Sequence, residues 1–130
     1  MQYHHTALIT VLSLLVYFAT MALVGRARSK YKIIAPAVTG NVDFERVFRV
    51  QQNTLESLIM HLPALWLFAI YVSDLWAAAL GAAWIAGRIL YTQGYIVEAK
   101  KRGTGMMISF LATMALLLGD LGAIVWAMLK

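Results

Sequence analysis

The chain has 130 residues, of which 62% are hydrophobic and 13% are charged, and its mean hydropathy is +0.73. Soluble domains are roughly a quarter charged, so this composition excludes an ordinary soluble domain and predicts an integral membrane protein. The net charge of +5 does not call for nucleic acid as a partner, because the basic residues lie between apolar segments, where membrane topology accounts for them. The absence of cysteine excludes a disulfide and a protein thiol as nucleophile or metal ligand.

The first apolar segment lies within residues 1–25, which carry no formal charge. A signal peptide has its basic residues ahead of the apolar region, whereas here Arg26, Arg28, Lys30 and Lys32 follow it. We therefore predict an uncleaved first span over about residues 4–25, with the N-terminus outside and the basic loop 26–43 on the cytoplasmic side.

Three further apolar segments predict spans over about residues 44–72, 75–97 and 104–129. Ser73 and Asp74 form a very short outer turn, and residues 100–103 form a second basic turn on the cytoplasmic side. The expected architecture is a single all-α domain over residues 1–130, a four-helix membrane bundle with both termini outside. In a bacterium its location would be the inner membrane.

Two polar stripes run into the membrane from the cytoplasmic ends of the second and third spans. On the second span, Arg49, Asn53 and Glu56 are spaced i, i+4 and i+7, which places them on one helical face. On the third, polar residues spaced 3, 4, 3 and 4 predict one face over four turns: Arg88, Tyr91, Tyr95, Glu98 and Arg102. Ionisable groups at that depth face the bundle interior or a wet cavity, so the stripes predict a polar site.

Some of these charges are expected to join the helices to one another. Glu45 with Arg49, and Arg88 with a carboxylate on the second span, are candidate scaffold pairs. Burying an ion pair costs desolvation energy, which the attraction between the two charges often only offsets. Stripes with this many charged residues therefore favour a ligand site over scaffolding alone. Arginine binds carboxylates bidentately, so the surplus of arginine suits a small zwitterion with additional carboxylates.

The three histidines and Asp120 lie outside the stripes. The histidines, His4, His5 and His61, do not form a metal site with the scattered acids, and no metal is expected. His61, deep in the second span, is expected to be a hydrogen-bonded packing residue rather than a proton relay. Asp120 has no basic partner at its depth, and its expected form is a protonated carboxyl or one bonded to Thr10 or Ser13.

The sequences FERVFRVQQNTLE and PALWLFA on the second span, and GRILYTQGYIVEAKKR on the third, resemble the signatures of the MAPEG family, the membrane-associated proteins in eicosanoid and glutathione metabolism. Within it the chain is most similar to microsomal glutathione transferases of prokaryotic type. The resemblance covers nearly the whole chain, from the basic loop to the fourth span. It implies a homotrimer with one glutathione site at each subunit interface, open toward the cytoplasm.

The resemblance also implies roles for eight polar positions, since the family's motif aligns here without a gap. Glutathione-binding residues of its cysteinyl-leukotriene synthases fall on Arg28, Arg49, Gln51, Asn53, Glu56, Tyr91 and Tyr95. The arginine credited with activating the thiol falls on Arg102, which is therefore the expected catalytic residue. Glutathione is the implied co-substrate.

The function expected on these grounds is that of a membrane glutathione S-transferase, with glutathione peroxidase activity. Its second substrate would be a lipophilic electrophile or a lipid hydroperoxide that arrives from the membrane lipid. Two alternatives stay open: a non-catalytic lipid-binding or scaffold protein on the same fold, and a small multidrug exporter. The exporters have a membrane-embedded glutamate in their first helix, and this first span has no acidic residue.

Overall fold

The computed structural model describes residues 2–130, with Ala99 described in its backbone only. It contains four long helices, α1 (His4–Tyr31), α2 (Val42–Tyr71), α3 (Asp74–Val97) and α4 (Gly103–Leu129), and a 3-10 turn, Ala99–Arg102, that precedes α4. The described residues contain no strand. Each long helix has the length and apolar character needed to cross a membrane. The predicted all-α bundle of a multi-pass membrane protein is therefore confirmed.

The first helix continues well past the end of the predicted span. It runs to Tyr31 and stops where Lys32 adopts a left-handed conformation, with φ of 57°. The basic residues Arg26, Arg28 and Lys30 therefore lie on the helix and not in a loop, which corrects the predicted loop 26–43. Arginine and lysine are good helix formers, and cations are stabilised near a helix C-terminus by its dipole, so nothing in this stretch ends the helix earlier.

Short polar caps set the starts of the next two helices. Asn41 Oδ1 accepts a hydrogen bond from the Phe44 amide at 3.0 Å, which begins α2. Ser73 Oγ accepts from the Trp76 amide at 3.2 Å, which begins α3 directly after α2. The predicted short turn is thus observed at Ser73, whereas Asp74 is already the first residue of α3.

The Asp74 carboxylate joins the starts of α1 and α3. It accepts a hydrogen bond from the Thr6 amide at 2.9 Å and one from His5 Nδ1 at 2.7 Å. These contacts lie at the end of the bundle opposite the polar stripes. They fix where α1 enters the bundle beside α3.

An aromatic and polar layer fills the middle of the bundle. The rings of His61 and Trp84 are stacked, with centroids 4.0 Å apart and planes 7° from parallel. His61 Nε2 lies 3.0 Å from Ser13 Oγ, and Trp84 Nε1 donates to Ser57 Oγ at 2.8 Å. His61 is therefore a hydrogen-bonded packing residue, as the sequence predicts.

The expected hydroxyl partners of Asp120 are wrong. Thr10 Oγ1 donates to the Thr6 carbonyl, and Ser13 Oγ donates to the Ile9 carbonyl, because a buried hydroxyl in a helix readily bonds to its own preceding turn. Asp120 is only 4% exposed, and neither carboxylate oxygen has a hydrogen-bond partner among residues 2–130.

Helices α3 and α4 approach most closely at two glycines. A Cβ added at Gly105 would overlap the backbone of Tyr91 and Gly87, and one added at Gly87 would lie 2.7 Å from the Ser109 nitrogen. Small residues let helix backbones come together in this way. The contact places the start of α4 directly against the part of α3 that carries the polar stripe.

We expect Gly105→Ala to destabilise the bundle, because the added methyl group meets backbone that cannot move aside as a flexible side chain can. Overpacking of this kind costs about 1–3 kcal/mol or more. The matched control is Gly122→Ala on the same helix, where an added Cβ has no atom within 4 Å. Thermal unfolding in detergent should show a lower midpoint for Gly105→Ala and an unchanged or raised one for Gly122→Ala; equal midpoints would contradict the close contact.

Candidate functional site

A polar cavity of about 410 Å³ lies at the end of the bundle that holds the α1–α2 loop. Helices α2 and α3, the 3-10 turn and the first turn of α4 form its walls. Six of the predicted site residues line it: Arg49, Asn53, Glu56, Tyr91, Tyr95 and Arg102. Phe48, Gln52 and Met106 complete the lining. The two stripes predicted from helical spacing therefore face one shared space.

The charged residues that α2 contributes to the cavity have no partner among residues 2–130. No hydrogen bond or ion pair joins the side chain of Arg49 or Glu56 to any other residue in the described part of the chain. The predicted Glu45–Arg49 scaffold pair is wrong, because Glu45 Oε2 accepts instead from the Gly40 amide at 3.2 Å. Arg49 and Glu56 lie about two turns apart on the helix, or roughly 10 Å along its axis.

On α3, Tyr91 and Tyr95 form an aromatic wall. Their ring centroids lie 5.4 Å apart with planes at 84°, an edge-to-face contact. Tyr91 is buried and Tyr95 is half-buried. The wall continues to Arg102, whose guanidinium carbon lies 5.3 Å from the centre of the Tyr95 ring.

The predicted four-turn face on α3 is wrong in its last turn. The helix ends at Val97, and Glu98 is extended, with φ of −162° and ψ of 134°. Glu98 is exposed and does not line the cavity. Arg102 reaches Tyr95 because the chain reverses through the 3-10 turn before α4 begins, and not because it continues the helical spacing.

Arg88 lies beneath the cavity and is almost completely buried, at 2% exposure. Its Nη2 donates to Asn53 Oδ1 at 2.9 Å and to Thr54 Oγ1 at 3.0 Å, and its Nη1 lies 3.5 Å from Ser109 Oγ. The guanidinium carbon is 4.2 Å from the centre of the Tyr91 ring.

The predicted carboxylate partner of Arg88 on α2 is therefore wrong. At that level α2 presents an amide and a hydroxyl, and all acceptors of Arg88 among residues 2–130 are neutral. The sequence placed Arg88 both in the polar stripe and in a candidate scaffold pair, but it did not predict the contact with Asn53 of α2. Its proximity to Tyr91 was predictable, since the two residues are spaced i, i+3 on α3.

Two predicted site residues, Arg28 and Gln51, do not reach the cavity within one chain. Arg28 Nη1 donates to the carbonyls of Ile33 at 3.3 Å and Ala37 at 2.8 Å. Gln51 Nε2 donates to the Tyr17 hydroxyl of α1 at 3.3 Å. Gln51 points away from the cavity because it is two residues, or about 200°, from both Arg49 and Asn53 around the helix.

The polar cavity continues into an apolar cleft between α2 and α4, with a volume of about 370 Å³. Asn53, Glu56 and Arg88 form the polar end of this cleft, and Met60, Phe110, Met114 and Leu117 are among the apolar residues along it. No cluster of three or more histidine or acidic residues that could hold a metal ion occurs in the described chain. The arrangement suits a charged ligand in the cavity beside an apolar one in the cleft.

Comparison with known proteins identifies relatives over most of the chain. A sequence model of the MAPEG family matches residues 6–121. An uncharacterised protein of Synechocystis sp. is 53% identical over 120 residues, which are 92% of this chain and 88% of that protein.

Two relatives carry functional names. Microsomal glutathione S-transferase 2 of Homo sapiens is 47% identical over 107 residues, covering 82% of this chain and 71% of the relative. Leukotriene C4 synthase of Bos taurus is 33% identical over 98 residues, covering 74% of this chain and 64% of the relative.

Proposed function

Because this chain belongs to the MAPEG family, we propose that it is a membrane glutathione S-transferase that also reduces lipid hydroperoxides with glutathione. The observation that carries the proposal is a pair of opposite charges in one cavity, Arg49 and Glu56, neither of which has a partner within the described part of the chain. Glutathione is a zwitterion with one ammonium and two carboxylates. Arg49 would bind a peptide carboxylate bidentately and Glu56 the ammonium, with Tyr91 and Tyr95 along the peptide between them.

The chemistry depends on the thiolate of glutathione. A free thiol has a pKa of about 8.5 and is mostly protonated at neutral pH, whereas the thiolate is the nucleophile. In this proposal Arg102 stabilises the thiolate by charge and hydrogen bonding and so lowers the pKa of the bound thiol. In conjugation, the sulfur forms a bond to the electrophilic carbon while that carbon's leaving group departs with the electron pair. In peroxide reduction, two glutathione molecules become the disulfide while a hydroperoxide becomes an alcohol and water.

The apolar cleft supports a lipophilic second substrate. It adjoins the polar cavity at Asn53 and Glu56, so a chain held between α2 and α4 would present its reactive end to the sulfur. A hydrophobic molecule dissolved in the bilayer would enter between helices without crossing water. Association of both substrates in one site raises their effective concentration and removes much of the entropic barrier.

We propose further that the active form is a homotrimer, with the cavity open toward the cytoplasm. Gln51 lies on the side of α2 that faces α1, away from the cavity of its own chain, and Arg28 lies near the end of α1, also away from that cavity. In a closed ring of identical subunits, each protomer can present these residues to the cavity of its neighbour. Both residues would then reach glutathione bound mainly by the adjacent subunit.

We expect Arg49→Ala and Glu56→Ala each to weaken glutathione binding by about 2–5 kcal/mol, since each leaves one charge of the ligand without its partner in a partly desolvated site. Isothermal titration calorimetry on detergent-purified protein measures the loss. Arg26→Ala, which removes an exposed cation outside the cavity, is the control and should bind as the wild type does. Wild-type affinity in both site variants would remove this site from consideration.

Arg102→Ala should lower turnover far more than it weakens glutathione binding, because the charge that Arg102 meets develops at sulfur. It should also raise the pKa of the bound thiol toward the free value, so the thiolate absorbance near 240 nm should appear at higher pH. Lys100→Ala and Lys101→Ala remove exposed cations of the same turn and serve as controls. If all three variants behave alike, Arg102 is a surface charge and another group activates the thiol.

A wild-type protein that binds glutathione but turns over no electrophile would favour the scaffold function instead.

Subunit complementation tests the shared site. Arg28→Ala and Arg49→Ala chains should each be inactive alone, but mixed trimers should regain activity where an intact Arg49 faces a neighbour with an intact Arg28. Random mixing of equal amounts in a closed three-membered ring restores about a quarter of the sites. No recovery in isolated mixed trimers would show that both arginines act within one chain, and a monomer in native mass spectrometry would overturn the trimer.

A further inference from the structure

Arg88 is the most deeply buried charge among the described residues, and the reaction proposed above assigns it no role. Its acceptors are the amide of Asn53 and the hydroxyls of Thr54 and Ser109, so no carboxylate compensates its charge. A buried cation with neutral partners alone is costly to keep in a membrane bundle. Neutral residues could join these helices at lower cost, so the charge calls for a further explanation.

The contact with Asn53 determines which way that amide faces. A guanidinium has only donors, so the group of Asn53 that meets Arg88 Nη2 at 2.9 Å must be its carbonyl oxygen. The amide nitrogen then lies on the other branch of the side chain. Asn53 lines both the polar cavity and the apolar cleft, and its Nδ2 has no acceptor among residues 2–130.

We infer that Arg88 is a positioning residue, which acts through Asn53 and makes that side chain a hydrogen-bond donor in the ligand site. This rests on the proposed function. Asn53 then recognises an acceptor oxygen of glutathione, a peptide carbonyl or a carboxylate, and rejects a donor at the same place. The guanidinium carbon of Arg88 also lies 4.2 Å from the centre of the Tyr91 ring, and this stacking holds the aromatic wall of the cavity in place.

Asn53→Asp separates this role from a structural one. The aspartate keeps an oxygen against Arg88 and supplies the missing counter-charge, so the thermal unfolding midpoint should rise. The same change removes the only donor of the side chain, so glutathione affinity should fall by about tenfold or more, the loss expected for one buried hydrogen bond. A residue needed for packing alone would move stability and affinity in the same direction.

The added negative charge needs its own control, because it could repel the carboxylates of glutathione. Gln52→Glu adds the same charge to the lining of the same cavity, and the wild-type Gln52 makes no hydrogen bond within the described chain. It should lose less affinity than Asn53→Asp. An equal loss would show that charge, and not the lost donor, accounts for the effect, and would overturn the inference.

A double-mutant cycle tests whether Arg88 acts through Asn53. Arg88→Met, Asn53→Ala and the double variant are compared with the wild type by glutathione titration calorimetry. If Arg88 acts by orienting Asn53, removing Arg88 costs nothing more once Asn53 is gone, so the double variant binds no more weakly than Asn53→Ala alone, whereas additive losses would show independent roles. If Arg88→Met does not fold, the comparison of Asn53→Asp with Gln52→Glu still tests the inference. Both variants keep Arg88, and only Asn53→Asp removes the donor that Arg88 orients.

The outcomes for the wild type separate the two proposals. A wild-type protein that does not bind glutathione overturns the proposed function. A wild-type protein that binds glutathione, together with an Asn53→Asp variant of equal affinity, leaves the function standing and overturns only the role of Arg88.

Discussion

A single buried guanidinium holds together the part of the bundle that forms the polar cavity. Arg88 extends from α3, donates to Asn53 and Thr54 of α2 and lies near Ser109 of α4, so it joins three of the four helices at the base of the cavity. It can reach all of them because Gly87 and Gly105 bring the α3 and α4 backbones into contact. With side chains at those glycines, the helices would separate and the guanidinium would lose one set of acceptors.

The charges above Arg88 are arranged differently. Arg49 and Glu56 have no protein partner among the described residues, while charges just outside the cavity are satisfied within the protein, as in the Arg46–Asp43 pair. Among the described residues, the charges at the start of α2 are thus paired, whereas the two charges that α2 contributes to the cavity are not. A bundle that used charge only to fix its helices would not leave two opposite charges about two turns apart on one open face.

Next to this polar space lies an apolar one, and their shared wall has a direct consequence for chemistry in a membrane. Asn53 and Glu56 border both the cavity and the cleft between α2 and α4. A water-soluble zwitterion and a lipid-soluble molecule can therefore meet although each remains in the surroundings that suit it. The cleft contains Met60, Met106 and Met114, whose flexible side chains adapt to apolar ligands of different shape.

Hydropathy alone was enough to establish the class of fold, because four long apolar segments leave few alternatives to a helical membrane bundle. The sequence also determined that Arg49, Asn53 and Glu56 share a face, since helical periodicity is a local property. Three results were decided only by the tertiary structure. Arg102 reaches Tyr95 because the chain reverses after α3, whereas the sequence had predicted the same proximity from a helix that continued to Arg102. Arg88 found neutral acceptors because the register between α2 and α3 depends on packing across the glycine contact, which no local pattern specifies. Arg28 and Gln51 lie away from the cavity, because the side of a helix that faces a given neighbour depends on how the helices are arranged around it.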